Sequence, residues 1–175
     1  MAVSISVDRL AALKNAMKSF DSSSVVVGIP DKSEKNKRDD TVKTNSEIAF
    51  TNEFGEPSEN IPARPFLIPG TKNAMEKNGR ILIKAVKDVL KLQSDPDQIV
   101  ENGFDAVGLA SQRAVQDVID DGIDPPLAPY TLAERARQRV GRPMGRMSTK
   151  AGLFGDKPLL FTGNLKQSIT YLVEK

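Results

Sequence analysis

The sequence predicts an α+β fold: a small, mostly antiparallel sheet packed with two long helices and a short amino-terminal helix. Three observations carry this reading. Val25-Val26-Val27-Gly28-Ile29 is a β-branched run stopped by Pro30, which suits a strand. Ile169-Thr170-Tyr171-Leu172-Val173 alternates at period two, the mark of a second strand. Between residues 71 and 122, apolar residues recur at helical spacing along two long stretches.

Taken in order, Leu10, Leu13, Met17 and Phe20 fall on one helical face. Ser6 stands as its cap, with Asp8 in the first turn where the helix dipole favours an anion. The strand at 25–29 reads as mostly buried. Residues 31–44 form a polar insert with five basic and four acidic side chains and only Val42 as an apolar anchor. Such a segment is either a solvated loop or an arm that orders against a neighbouring subunit. Ser46 to Phe54 reads as a short helix ended by Gly55 in a left-handed conformation. Pro57, Pro62, Pro65 and Pro69 block its continuation, and Ala63 to Ile68 is expected to be extended.

The first long helix is predicted from Thr71 to about Leu92. Met75, Leu82, Val86 and Val89 form its apolar face, widened by Ile81, Ala85 and Leu90. The second follows Asp95-Pro96-Asp97-Gln98, where Asp95 caps, Pro96 suits the first helical position and Gln98 completes a capping box. Its buried stripe is predicted as Val100, Phe104, Val107, Ala114 and Val118. The two helices differ in charge: residues 72–91 carry six basic and two acidic side chains, residues 95–121 seven acidic and one basic. Asp124 to Pro129 is expected to be extended, and Thr131-Leu132-Ala133-Glu134 to open a short helix as a capping box. From Glu134 to Lys150 six basic residues face one acidic residue, among glycines and a proline that make its second half a loop. Thr162 to Ser168 reads as a capped single turn. The chain is thus one domain over 1–175, with polar arms at about 31–44 and 138–157.

Composition narrows the chemistry. The 175 residues are 39% hydrophobic, enough to bury a core, and carry a net charge of only +2. That balance argues against a globally basic nucleic-acid binder. With no Cys and no His, thiol nucleophiles, thiolate and histidine metal sites and Ser-His-Asp triads are excluded. Seven Phe, two Tyr and no Trp leave little for a base-stacking platform. No window has the roughly 18 apolar residues of a membrane span, and Met1 to Val7 lacks the pattern of a secretory leader. No catalytic residues, no cofactor and no metal are expected.

Two charged clusters invite closer reading. Asp117, Asp120, Asp121 and Asp124 fail the calcium-loop spacing, because Ile119 stands where a second ligand belongs. Carboxylates at a helix C-terminus oppose its dipole, so a basic partner is expected for them in the same subunit or the next. Arg135, Arg137, Arg139, Arg142 and Arg146 supply either such a protein contact or a DNA contact. Phe161-Thr162-Gly163 departs from the aspartic-protease triplet at the essential Asp, which excludes that reading. An enzyme working with Asp, Glu, Lys and Ser alone would need a concave site with shifted carboxylates.

Three segments carry a resemblance. Glu47-Ile48-Ala49-Phe50 with Asn52-Glu53-Phe54-Gly55, and then Ile61-Pro62-Ala63-Arg64-Pro65-Phe66-Leu67, resemble the HEFG and IPARPF signatures of phage virion-morphogenesis proteins. Pro125 to Ala133, with Lys157-Pro158-Leu159-Leu160-Phe161-Thr162-Gly163-Asn164-Leu165 and Ser168-Ile169, is similar to that family's third pattern. Asn52 stands where the family usually has His, and Phe161 where it usually has Asp. The motifs cover much of residues 45–173, in the family's order.

The resemblance implies a structural virion protein without enzymatic activity: a tail-completion or head–tail connector subunit of the phage neck. Such subunits form a ring, usually hexameric, between the head-completion (stopper) protein and the tail tube or tail terminator. DNA passes through the lumen on ejection without sequence-specific contact, and no membrane is involved. The protein is then made in the host bacterial cytoplasm and ends in the virion. The resemblance gives Asn52, Glu53, Phe54, Gly55, Arg64, Pro65, Phe66, Thr162, Gly163, Leu165 and Ser168 structural roles. The arginines from Arg135 to Arg146, with Asp117, Asp120 and Asp121, become inter-subunit contacts. A DNA-binding accessory protein using residues 135–146 is the alternative, and its binding would weaken steeply with salt.

Overall fold

The computed structural model describes residues 2–30, 43–91, 95–140, 157–160 and 162–175, without the side chains of 2–10, 12 and 138–140. Its elements in order are α1 (Ala2–Ser22), β1 (Ser24–Gly28), α2 (Asn45–Phe54), a 3₁₀ turn (Pro57–Glu59), α3 (Leu67–Lys91), α4 (Pro96–Asp121), α5 (Pro129–Val140), α6 (Asn164–Ser168) and β2 (Thr170–Glu174). The fold is mostly helical. Among the described residues, β1 and β2 form a two-stranded antiparallel sheet packed against α3, α4 and the amino-terminal helix, as the sequence predicts. Contacts gather the chain into two compact units, one of residues 1–27, 71–113 and 171–175, the other of residues 28–70 and 114–170.

The first unit is built on Ala16, Val89, Val100 and Phe104, with Leu13, Phe20, Val25, Leu82 and Val173 packed against them. The Phe20 and Phe104 rings meet at 5.9 Å in a tilted arrangement, a favourable aromatic geometry. Helix α1 runs back to Ala2, so Ser6 and Asp8 lie inside it rather than capping it. Once nucleated on its packed half, a helix extends at little further cost. Its buried face is Leu13, Ala16 and Phe20, while Met17 points outward at 64% exposure. The β1 strand is half-buried rather than mostly buried: a two-stranded ribbon has one face on the core, and Val26 is on the other.

In α3 the buried apolar side chains are Ala74, Ala85 and Val89, whereas the predicted Met75, Val86 and Leu90 are exposed. Two apolar series run side by side along this helix, and side-chain volume decides between them. A Cβ built on Gly103 of α4 would come within 3.0 Å of the Ala85 Cβ, so only small residues fit where the helices approach. In α4 the cap forms as expected, with the Asp95 carboxylate accepting the Asp97 N–H at 3.2 Å. Gln98 does not close a capping box; its amide donates to Asn102 instead, at 3.2 Å. The buried stripe continues through Ser111, Val115 and Ile119 rather than Ala114 and Val118. Ser111 takes a core position because its hydroxyl donates to the Val107 carbonyl at 2.9 Å, so a polar residue masks the register.

The second unit buries Phe66, Val115, Ile119, Leu165 and Ile169. Its α3 segment begins at Leu67, four residues before the predicted start. Pro69 falls in the first turn, where no N–H is needed by the helix. For the same reason α5 starts at Pro129, with the Leu132 N–H on the Ala128 carbonyl at 3.1 Å. Thr131 is therefore inside the helix and not its cap. The start of α6 is Gly163 at φ 75°, which offers no side chain; the Thr162 hydroxyl accepts the Asn164 N–H at 3.4 Å. Residues 31–42 and 141–156, which make up most of the two expected arms, lie outside the described residues.

Candidate functional site

The motif segments meet within the second unit. Helix α2 is fixed at its start by a capping box: the Thr44 hydroxyl accepts the Glu47 N–H at 3.3 Å, and the Glu47 carboxylate accepts the Thr44 N–H at 2.7 Å. The Thr-x-x-Glu pattern signals this pair plainly, although the resemblance draws attention to the residues after it. Gly55 ends α2 at φ 78°, ψ 164°, a positive-φ terminator as expected but extended rather than left-handed helical. A Cβ there would lie 2.8 Å from the Ala63 nitrogen, so glycine is required both by conformation and by space. The chain then turns back through the 3₁₀ turn and a bridge between Glu56 and Ile61. The Arg64 N–H reaches the Asn52 carbonyl at 2.6 Å. The Asn52 side chain itself donates to the Ile48 carbonyl, at 2.7 Å.

Glu53 is the centre of the arrangement. The residue is 6% exposed, and its carboxylate accepts the N–H groups of Phe66 and Leu67 at 2.7 and 2.8 Å and of Ile68 at 3.0 Å. A helix start leaves four donors without intrahelical partners. Here the fourth position is Pro69, which has no N–H, so Glu53 accounts for the whole set. The first intrahelical bond follows at once, from the Gly70 N–H to the Phe66 carbonyl at 3.1 Å. A carboxylate at the positive end of a helix dipole is also favoured electrostatically.

Arg64 faces the opposite task. It is 8% exposed, and its Nε and Nη2 donate to the carbonyls of Pro125 and Pro126 at 2.8 and 3.0 Å. Burial pushes its pKa down from the ordinary arginine value. The guanidinium thus fastens the α4–α5 connection, whose Asp124–Pro125 bond is cis, to the segment after α2. Phe66 beside it is 1% exposed. Ser168 is buried, with its hydroxyl on the Leu165 carbonyl at 2.7 Å, and α2 packs against α6. A cleft of 410 Å³ opens among these segments, lined by Asn52, Arg64, Thr131, Arg135, Thr162 and Leu165, among others.

The remaining expected contacts fall as follows. Asp120 takes Lys166 on its carboxylate, and its backbone carbonyl accepts the Lys157 ammonium. Among the described residues, the cations at the α4 C-terminus are thus lysines of the α5–α6 region, and no local pattern signals them. Asp117 and Asp121 are exposed. Arg135 donates to the Lys157 carbonyl at 3.0 Å, and Arg137 pairs with Glu134 at 3.6 Å. Arg139 lies in α5 beyond the described side chains, and Arg142, Arg146 and Phe161 lie outside the described residues. Phe54 is 59% exposed and stacks on Phe50 with centroids 4.9 Å apart, and Pro65 and Thr162 are exposed.

Among the described residues no group of three or more Asp or Glu side chains is placed to hold a metal ion. No described helix is long and apolar enough to cross a membrane. Comparison of the chain with protein-family models, with curated proteins and with solved structures finds no match.

Proposed function

We propose that this protein is a structural subunit of a phage neck, a tail-completion or head–tail connector protein that acts as a ring without catalysing a reaction. One observation carries the reading. The buried polar residues of the motifs, Glu53 and Arg64, direct their side chains at backbone groups of neighbouring motif segments. A catalytic carboxylate or guanidinium would aim at substrate, whereas these two hold distant segments together. That is what a sequence signature means in a protein whose task is to present a fixed surface to other subunits. The runner-up, DNA binding through residues 135–146, is weakened because Arg135 and Arg137 are engaged within the chain.

The test is deletion of the coding sequence from a phage that carries it, followed by electron microscopy of the lysate. The expected outcome is filled heads and complete but unjoined tails, with joining restored when the purified protein is added. Joined, infectious particles from the deletion would overturn the proposal. Salt-sensitive DNA binding that is lost on substitution of Arg142 and Arg146 would favour the runner-up.

A further inference from the structure

Arg64 spends one edge of its guanidinium on fastening and keeps another. The planar group carries its N–H donors in a fixed fork. Nε and Nη2 form one edge, and the carbonyls of Pro125 and Pro126 occupy it. The adjoining edge, Nη1 with the second N–H of Nη2, has no acceptor among the described residues, and no carboxylate among them pairs with the charge. These spare donors are not sealed in: among the described residues, the buried side-chain polar atom without a partner is Asn78 Oδ1. Yet the residue as a whole is only 8% exposed. A buried cation held by carbonyl dipoles alone lacks the counter-ion that burial ordinarily demands.

The 410 Å³ cleft is the opening that Arg64 lines, and its lining lies wholly within the second unit. Half-buried Arg135 adds a second cation to it, and among the described residues no Asp or Glu lines it. Ile48, Ile61, Leu127, Leu159 and Leu165 give it apolar walls. A concave space of this size, mostly apolar with a few placed polar groups, has the character of a small-ligand site. Two parallel N–H groups on one guanidinium edge match the two oxygens of a carboxylate. Inorganic phosphate would also match the fork, but it would leave the apolar walls without a partner. We infer that the cleft binds an aliphatic carboxylate, with its two oxygens on the spare edge of Arg64 and its stem against the apolar walls. Such a group is carried by a free acid or by the end of a polypeptide, and neither source depends on the neck reading above.

The test is isothermal titration calorimetry on the full chain. The probes are hexanoate, hexan-1-ol, inorganic phosphate, and acetylated leucyl-leucine with a free or an amidated end. Hexanoate or the free-ended dipeptide is expected to bind saturably, and whichever binds more tightly identifies the source. Hexan-1-ol, phosphate and the amidated dipeptide are expected to bind at least about tenfold more weakly, since each lacks the carboxylate or the stem. Ala128→Glu, at an exposed lining position, supplies an anion from within the chain and is expected to weaken binding by about tenfold or more. Arg64→Lys keeps the charge but loses the fork, and a similar loss is expected, with circular dichroism to establish that the fold is retained. Arg64 also fastens the α4–α5 connection, so Ala128→Glu decides the matter if Arg64→Lys fails to fold. No binding of either carboxylate probe at millimolar concentration would overturn the inference. So would hexan-1-ol or phosphate binding as tightly as hexanoate, or a folded variant that binds like wild type.

Discussion

Three amides and one carboxylate decide how α3 begins, and their arithmetic is strict. The Phe66, Leu67 and Ile68 N–H groups all donate to Glu53 at the helix start. Glu53→Gln keeps the shape but replaces one acceptor oxygen with a donor NH₂, which cannot receive an N–H. At least one of these amides then loses its acceptor at residue 53, at a cost of about 1–3 kcal/mol. Urea denaturation is expected to show that loss, and a change below about 0.5 kcal/mol would mean the bonds contribute little. Phe66, at 1% exposure, fills the space beside this junction. Its replacement by Ala should cost about 3–5 kcal/mol, as for a core aromatic, in the same denaturation assay. A shift under about 1 kcal/mol would show that the site collapses around the smaller residue.

At the scale of elements, the glycines of α3 separate two kinds of position. A Cβ at Gly70 would sit 2.5 Å from the Val115 Cα, backbone that cannot move aside, whereas a Cβ at Gly79 meets nothing within 4 Å. Gly70→Ala is therefore expected to destabilise by about 1–3 kcal/mol through overpacking. Gly79→Ala should stabilise by about 0.5–1 kcal/mol, since Gly in a helix interior is unfavourable and a methyl group there has open space. Thermal melts of the two variants should move in opposite directions, and movement in the same direction would contradict the packing described. The long helices and β2 were legible because period marks them, and β1 because a β-branched run ended by a proline does. Which apolar series of α3 turns inward was not, since Met75 is the larger hydrophobe but Ala74 is the residue that fits. Ser111 hid the register of α4 in the same way, its hydroxyl satisfied by a carbonyl one turn back. The helix starts at Leu67 and Pro129 were misplaced because a proline was read as a stop where it stands in a first turn. Of the site, Glu53 and Arg64 were singled out by resemblance, but their partners lie up to 62 residues away and no local spacing encodes them.

For the whole molecule, the composition of residues 31–44 sets an expectation that concerns assembly rather than folding. Five cations, four anions and one apolar anchor cannot bury enough surface to offset the entropy of ordering. At its edge the chain is already anchored, with Lys43 on Glu59 at 2.9 Å and Thr44 capping α2. Removing residues 32–42 should thus leave the denaturation midpoint within about 0.5 kcal/mol of wild type, as for surface changes away from any packed feature. In a phage bearing that deletion, head–tail joining should fail, giving separate heads and tails in micrographs. Normal infectious particles would reduce the segment to a solvated loop.

The junction at Glu53 also bears on how the second unit opens in time. First-turn amides of a helix ordinarily exchange their hydrogens with solvent fastest, having no intrahelical acceptor to break. Here exposing the Phe66, Leu67 or Ile68 N–H to deuterium requires breaking its bond to the carboxylate of Glu53, a residue that is itself buried. Local fraying is closed off, so these three amides should exchange together, at the slow rate of the unit's core. In the Glu53→Gln protein they should return to the fast class while the amides of mid-helix α4 keep their wild-type rates. The start of a helix, usually its least protected stretch, would then serve as a reporter for the cooperative opening of an entire folding unit.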